Sequence, residues 1–217
     1  RWDLTPSFSM PNDAKRLDVG VMANTYFASR YWGHWLSQEL PLQRLLRTKG
    51  PFIGYLPRVA YRDEPYWRSL VDLPEIEKAE AFFVDHFMMP IGGNTSLAII
   101  GQQREIRQLI KSKLPEKGKC VFLMRGESGQ QQRRLVNEQE LAERLARQGF
   151  VCLSVGDMGA ADWTNELVGA SMVIGVEGSH LGPAMYTMSS EGLMVVLQPP
   201  NRVTRNWTDS LLYLGIP

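Results

Sequence analysis

Apolar segments that alternate with helical segments fill the second half of the chain, and this pattern constrains the fold more than any other feature. Four short apolar runs are expected to form strands, at residues 120–124, 151–155, 172–176 and 193–197. Helical patterns lie between them, at residues 137–148, at residues 163–170 and from residue 183. Strands of this kind separated by helices are typical of a parallel sheet covered on both faces. The sequence therefore predicts an α/β fold with a Rossmann-like sheet in this half.

The first half of the chain has a less regular pattern. Apolar positions predict a helix over residues 31–49, which Pro41 should kink or divide. Shorter elements are expected around it, with strands at residues 19–21, 52–55 and 81–84 and a helix near residues 64–71. Residues 90–94 form the clearest break, and a helix is expected after it over residues 97–113. We therefore predict an N-terminal, acceptor-side domain of residues 1–96 and a C-terminal, nucleotide-binding domain of residues 97–217.

Charge and hydropathy exclude several classes of partner. The 24 lysines and arginines nearly balance the 23 aspartates and glutamates, so no strong field would steer the chain onto nucleic acid. No apolar run approaches the roughly 20 residues of a membrane span, so no transmembrane segment is expected in this chain. The two cysteines lie in apolar segments and favour a reducing compartment. We expect a cytoplasmic protein, with association to a membrane left open.

Polar residues follow each predicted strand of the second half. In an open parallel sheet, ligands bind outside the carboxyl ends of the strands. The residues that follow the first three strands include Arg125 and Gly126, then Asp157, then Glu177. Either they build a binding site at one edge of the sheet, or they are ordinary polar loops.

The first of these loops has the composition of a diphosphate site. Arg125, Arg133 and Arg134 carry guanidinium groups, which suit bidentate contact with phosphate. A helix capped by Asn137, with Glu140 three residues on, would add free N–H groups and the positive end of its dipole. Together they would hold a diphosphate without a metal. The alternative is a solvated basic loop in which Arg134 pairs with Glu138.

The loop after the third strand combines a carboxylate with a glycine, a hydroxyl and an imidazole. Glu177 could bind a ribose or sugar hydroxyl or act as a base, and Gly178, Ser179 and His180 follow it directly. The alternative is a structural loop, in which Ser179 caps the next helix and His180 is a satisfied, partly buried side chain.

Aromatic residues surround a glycine at the start of the long helix in the first half. The segment Tyr31-Trp32-Gly33-His34-Trp35 suits a surface that stacks against sugar rings or lines a cleft. His34 titrates near neutral pH, so it could take a proton from an acceptor hydroxyl. The alternative is an aromatic core patch at the start of a helix.

Three segments taken in order resemble glycosyltransferase family 61. Residues 121–141, with Gly149 and Phe150, are similar to the family's R…R-x-x-N-E-x-E-L…G-F stretch. Residues 170–181 resemble its a-x-v-v-i-G-x-x-G-S/A-x-L stretch, and residues 31–41 resemble its Y-x-H-W-L…L-P segment. Many members carry His-Gly where this chain has Glu177-Gly178, and the Glu-Gly-Ser form is similar to a bacterial branch linked to capsular polysaccharide biosynthesis.

The resemblance implies a GT-B fold of two Rossmann-like domains. It also implies inverting transfer of a sugar from a nucleotide-sugar donor to a glycan or polysaccharide acceptor, without an obligatory metal or other cofactor. The residues expected to bind the donor are Arg125, Gly126, Arg133, Arg134, Asn137, Glu138, Gly178, Ser179 and His180. His34 is the first candidate for the base and Glu177 is the second.

Two questions about this resemblance stay open at the level of sequence. The sugar is expected to be a hexose or a pentose, since the family transfers both kinds. The first half is short for a GT-B acceptor domain, so either the N-terminus is missing or the domain is reduced. A non-catalytic member that binds a nucleotide or a carbohydrate is therefore the alternative, which the change at Glu177 also favours.

Overall fold

The structure is a computed structural model that describes residues 14–54, 60–77, 79, 81–90, 96–126, 133–201 and 203–216. The strands are β1 Lys15–Val21, β2 Phe82–Met88, β3 Cys120–Met124, β4 Val151–Ser154, β5 Met172–Val176 and β6 Leu193–Leu197. The α-helices are α1 Trp32–His34, α2 Leu40–Leu46, α3 Glu64–Leu70, α4 Leu97–Lys113, α5 Glu138–Arg147, α6 Ala160–Leu167, α7 Ala184–Thr187 and α8 Asn206–Leu214. A π-helix spans Trp35–Glu39 and a 3₁₀-helix spans Ser179–Leu181. Across these ranges, no helix combines the length and the apolar character needed to cross a membrane.

The second half folds around a four-stranded parallel sheet with the strand order β4-β3-β5-β6. Strands β3, β5 and β6 have the predicted bounds, and β4 ends at Ser154, one residue earlier than predicted. Val121, Phe122 and Leu123 of the central strand β3 are fully buried. A strand that has neighbours on both sides and is covered on both faces is apolar at every position. This continuous apolar run is why β3 could be predicted from the sequence. The predicted α/β class and parallel sheet are confirmed.

The path of the chain across this sheet creates a crevice between β3 and β5. From β3 the chain moves outward to β4, and then it returns past β3 to add β5 and β6 on the other side. The carboxyl ends of β3 and β5 therefore flank a topological switch point, which is where open parallel sheets bind their ligands. Arg125 follows β3 and Glu177 follows β5, so both predicted site residues stand at this point.

A smaller parallel sheet lies in the first half. Strands β1 and β2 pair along their length, so the short strands predicted there are confirmed and extended. The strand predicted to begin at Phe52 is present only as isolated bridges, from Phe52 to Val21 and from Ile53 to Glu77. Tyr55, the last residue of that prediction, lies outside the described residues.

The helix predicted over residues 31–49 consists of three consecutive segments of different type. Helix α1 runs into the π-helix, and α2 begins at Leu40, next to Pro41. At the end of the π-helix the N–H of Leu40 donates to the carbonyl of Trp35, five residues earlier. The division predicted near Pro41 therefore occurs as a change of helix type.

One hydrophobic core joins the two halves of the chain. Helix α4 packs against α2 of the first half and α7 of the second. The buried Arg107 of α4 donates to the carbonyls of Met185 and Met188, at 3.0 and 2.5 Å. These hydrogen bonds from the guanidinium group satisfy backbone carbonyls at the end of α7 and hold α7 against α4. The division into domains at residue 96 stays a prediction beside this shared core.

Helices α5 and α6 differ from the prediction at their starts. Asn137 occupies the N-cap position of α5, as predicted, and the helix starts at Glu138, but the side chain of Asn137 makes no capping hydrogen bond. Glu140, expected to complete the capping motif, instead accepts a hydrogen bond from Arg144 at 2.6 Å. Helix α6 starts at Ala160, three residues before its predicted start, and ends at Leu167.

Candidate functional site

A cavity of about 180 Å³ opens at the carboxyl edge of the larger sheet. Among the residues that the structure describes, the wall of this cavity is formed by Trp32, Asp63, Arg125, Val155, Trp163, Ser179 and His180, and we call these residues the described wall. Arg125 follows β3, and Ser179 and His180 follow β5, so the cavity occupies the crevice at the switch point. Trp32 and Asp63 come from the first half, so both halves of the chain shape the cavity.

Two arginines converge on the backbone carbonyl of Glu177. Arg125 Nη1 donates to it at 2.8 Å and Arg133 Nη1 donates to it at 3.2 Å. Arg133 also forms an ion pair with the carboxylate of Glu177. Arg125 and Glu177 are both buried, so these charges interact in a medium less polar than water. Guanidinium groups bind phosphate oxygens well, so two of them held together at this edge of the sheet suit an anionic ligand.

The carboxylate of Glu138 fixes the backbone where β3 ends. Its two oxygens accept hydrogen bonds from the N–H groups of Arg125 and Gly126, each at 2.8 Å. Gly126 has a φ of +57°, a left-handed conformation that glycine adopts at low cost. Because both N–H groups already donate to Glu138, the positive charge offered to a ligand here comes from arginine side chains. Glu138 is also the first residue of α5, where a negative charge complements the helix dipole.

Gly178 leaves room for the guanidinium group of Arg125. A Cβ atom at this position would lie 1.9 Å from Arg125 Nη1 and 2.9 Å from His180 Nδ1. The φ of Gly178 is 165°, which is extended backbone that any residue adopts. The absence of a Cβ therefore lets the guanidinium group of Arg125 take this position.

His180 is a neutral imidazole on the wall of the cavity. Burial lowers its pKa to about 3, and the positive charges of Arg125 and Arg133 add to the effect. Its Nε2 is buried without a hydrogen-bond partner among the residues that the structure describes. Trp163 of α6 has the same feature at its Nε1. His180 is therefore not the fully hydrogen-bonded histidine expected if this loop were purely structural.

Arg62 holds Asp63 at the cavity. It contacts the two carboxylate oxygens of Asp63 at 2.7 and 3.1 Å, and this hydrogen bonding raises the pKa of Arg62. Arg62 also donates to the carbonyls of Val155 and Gly156, each at 3.0 Å. These bonds tie the loop before α3 to the end of β4, so the first half contributes its carboxylate at a fixed place.

His34 lies two residues after Trp32 and is not part of the described wall. Its Nδ1 is 2.8 Å from the amide nitrogen of Gln38, and its ring is 5.3 Å from that of Phe27. Burial lowers the pKa of His34, and the hydrogen bond with Gln38 opposes this effect. The imidazole is therefore neutral at pH 7, the state that a general base requires.

The structure gathers most of the residues predicted from the sequence around Arg125. Arg125, Ser179 and His180 line the cavity. The neighbouring residues that contact this group or each other are Gly126, Arg133, Glu138, Glu177 and Gly178. Arg134 and Asn137 are exposed, and His34 and Glu177 lie outside the described wall.

Asp63, Val155 and Trp163 were not predicted for the site. Trp163 lies in the helix that follows β4, and a tryptophan placed shortly after a predicted strand of the parallel sheet is the signal that could have identified it. Asp63 has no comparable signal, because it reaches the cavity only through the packing of the two halves.

A family model described as Glycosyltransferase 61 matches residues 32–195 of the chain. The match covers more than half of the chain and includes every residue of the described cavity wall. A search of curated proteins finds no match to the chain.

Proposed function

This chain belongs to the glycosyltransferase 61 family and is a glycosyltransferase, and we propose that it moves a sugar from a nucleotide-sugar donor to a glycan or polysaccharide acceptor. We further propose that the transfer inverts the anomeric centre and needs no metal. The observation that carries this proposal is the pair Arg125 and Arg133, which meet at Glu177 beside a cavity at the switch point. An anion-binding group and a cleft at that place are what a nucleotide-sugar requires.

The two arginines would stabilise the leaving group. When the bond between the sugar and the diphosphate breaks, negative charge grows on the departing oxygen. Arg125 in the wall and Arg133 beside it supply fixed positive charge there, and the pairing of Arg133 with Glu177 positions the second guanidinium. Removing one such fixed donor typically costs on the order of 10²–10³ in turnover.

His34 is the better candidate for the base that accepts the proton of the acceptor hydroxyl. Oε1 of Gln38 is buried and has no partner among the described atoms. With that oxygen turned to His34, it accepts the Nδ1–H, and Nε2 of His34 is left to take a proton. The carboxylate of Glu177 is engaged by Arg133, which suits a positioning role.

We also propose that the two parallel sheets represent the two Rossmann-like domains of a GT-B arrangement, with the donor between them. The support is the composition of the cavity wall. Trp32 and Asp63 come from the half that holds the smaller sheet, and the other wall residues come from the half that holds the larger one.

Calorimetric titration tests the donor site and the absence of a metal requirement. The ligands are UDP, GDP and CMP, each with and without its sugar, and each titration is repeated with EDTA. We expect one nucleotide and its sugar to bind, with an affinity that EDTA leaves unchanged. Binding without transfer or donor hydrolysis would instead favour a non-catalytic member of the family.

Arg125→Ala tests the role of the guanidinium in the transfer. We expect it to abolish transfer while circular dichroism shows a retained fold. Arg144→Ala is the matched control, because Arg144 is an exposed arginine of α5 away from the cavity. A folded Arg125→Ala protein that transfers at the wild-type rate would refute the proposed function.

A further inference from the structure

Residues 61–63 form a loop, which we call the bridging loop, that contacts both halves of the chain next to the cavity. The loop directly precedes α3, and Asp63 at its end is part of the described wall. The ring centroid of Tyr61 lies 5.5 Å from that of Trp32, another wall residue, and the Tyr61 hydroxyl donates to the carbonyl of Ala28 at 2.7 Å. Tyr61 therefore anchors the bridging loop to the part of the first half that carries Trp32.

Arg62 anchors the bridging loop to the other half of the chain. Its Nη1 donates to the carbonyl of Gly156 and its Nη2 donates to the carbonyl of Val155, each at 3.0 Å. Val155 is a wall residue that directly follows β4. The same guanidinium donates to the carboxylate of Asp63 through Nε and Nη2. One side chain thus connects two wall residues that come from different halves of the chain.

The guanidinium group suits the task of holding several acceptors at fixed positions. It is planar, and its N–H donors point in fixed directions, so bonds to a carboxylate and to two carbonyls set the spacing between them. Arg62 is not part of the described wall, so its effect on a ligand must act through the residues that it holds. A wall that is already in place does not have to be ordered by the ligand, which favours binding.

These contacts give Arg62 a role in substrate binding. Resting on the proposed function, we infer that Arg62 is a positioning residue, which holds Asp63 and Val155 at the spacing at which the cavity binds its substrate. Without Arg62, part of the binding free energy is spent on ordering the wall, so binding is weaker. The maximal rate changes little, because the bound substrate reassembles the same wall. Loss of a group that acts on the reacting bond would lower the maximal rate instead.

Hydrogen exchange of the free chain tests the link between the two halves without a ligand. The N–H of Glu64 donates within the turn of the bridging loop, and the N–H of Asp157 donates within the turn after β4. Arg62→Ala should speed exchange in peptides that cover residues 60–66 and 153–159 by about 3- to 10-fold, since both turns lose an anchor. Faster exchange in residues 60–66 alone would show that Arg62 acts only on its own turn. That result would overturn the inference and leave the proposed function in place.

Binding and rate measurements test the consequence for the substrate. The probe is whichever of the UDP-, GDP- and CMP-sugars binds the wild-type chain. Arg62→Ala should raise its Kd by about 3- to 10-fold and change the maximal transfer rate by less than about twofold. Arg62→Lys keeps the charge but offers its donors from a single atom, so we expect the same loss of affinity. Arg16→Ala is the matched control, because Arg16 is an exposed arginine that pairs with Asp85 within the first half, and it should change neither value.

The possible outcomes separate the inference from the proposed function. Thermal melting shows whether each variant is folded. An unchanged Kd in folded Arg62→Ala, full rescue by Arg62→Lys, or a lower maximal rate at unchanged affinity would each overturn the positioning role. A wild-type chain that binds none of the nucleotide-sugars would refute the proposed function and, with it, the role in substrate binding. The exchange experiment would still report separately on the link between the halves.

Discussion

A methyl group at residue 178 would test whether the position of the Arg125 guanidinium matters. In Gly178→Ala the new Cβ would stand 1.9 Å from Arg125 Nη1. Non-bonded heavy atoms rest at roughly 3.5–4.0 Å, so the guanidinium must move by about 1.6 Å or more. The arginine side chain is flexible at its far end, so the backbone of the loop can stay in place.

The expected magnitudes follow from the contacts of Arg125. The movement removes its 2.8 Å hydrogen bond to the carbonyl of Glu177. A hydrogen bond to a charged group contributes about 1.5–3 kcal/mol to the free energy of unfolding. At about 2–4 °C per kcal/mol for a chain of this size, the melting temperature should fall by roughly 3–12 °C. A misplaced guanidinium should also lower turnover by on the order of 10²–10³.

Two assays with one control separate these effects. Urea unfolding gives the change in free energy, and the initial rate of sugar transfer gives the change in turnover. Gly101→Ala in α4 is the control, since its added Cβ meets no atom within 4 Å. Removing a helical glycine there should stabilise the protein by about 0.5–1 kcal/mol and leave turnover unchanged. Wild-type turnover in Gly178→Ala would refute the proposed dependence on Arg125.

Three further predictions concern stability. Glu138→Gln should lower the unfolding free energy in urea by about 1–2 kcal/mol, because a neutral amide is a weaker acceptor for the N–H groups of Arg125 and Gly126; Glu140→Gln, exposed on the same helix, should change little. His180 has a pKa of about 3 when folded against 6.5 in the unfolded chain, so the unfolded state takes up the proton first as the pH falls. Between pH 7.5 and 5.5 the protein should lose about 1.4 kcal/mol through this group, and His180→Asn should remove that part of the pH dependence. Tyr186→Phe removes a buried 2.9 Å hydrogen bond to the carbonyl of Leu36 and should lower the melting temperature by about 2–4 °C; an unchanged value would contradict this role.

The strands of the larger sheet could be predicted closely because their signal is local. Val121, Phe122 and Leu123 are apolar without interruption, and a glycine or a charged residue follows β3, β4 and β5 within two residues. Burial on both faces requires that composition, whatever packs against the strand. The site residues that come directly after the strands, Arg125 and Glu177 among them, then follow from the rule that carboxyl ends share one edge.

Elements that depend on contacts between distant segments could not be predicted in the same way. The π-helix differs from an α-helix by one residue in its hydrogen bonding, and no apolar spacing in that segment distinguishes the two. Helix α8, in contrast, has a local signal in its sequence. Its buried Trp207, Leu211 and Leu214 have helical spacing, and Gly215 ends it in the left-handed conformation.

The residues of the cavity divide in the same way, into those that a local sequence signal predicts and those that contacts between distant segments place. Ser179 and His180 could be placed from their own strand, whereas Asp63 reaches the wall through Arg62, which bonds to carbonyls some 90 residues further along the chain. The capping role expected for Asn137 fails for a related reason. The neighbouring Glu138 begins the helix, because its carboxylate is held by the backbone at the end of β3.

The π-helix between α1 and α2 determines the direction in which Trp32 points relative to the buried face of α2. Each residue turns an α-helix by about 100°, so one extra residue within the segment offsets everything before it by about that angle. Trp32 precedes the offset and faces the cavity, and Leu40 follows it and is buried in the core. Losing a single residue from this turn would leave the core face of α2 intact and rotate Trp32 out of the wall. Insertions and deletions at this turn can therefore change what the first half presents to a ligand while every wall residue keeps its identity.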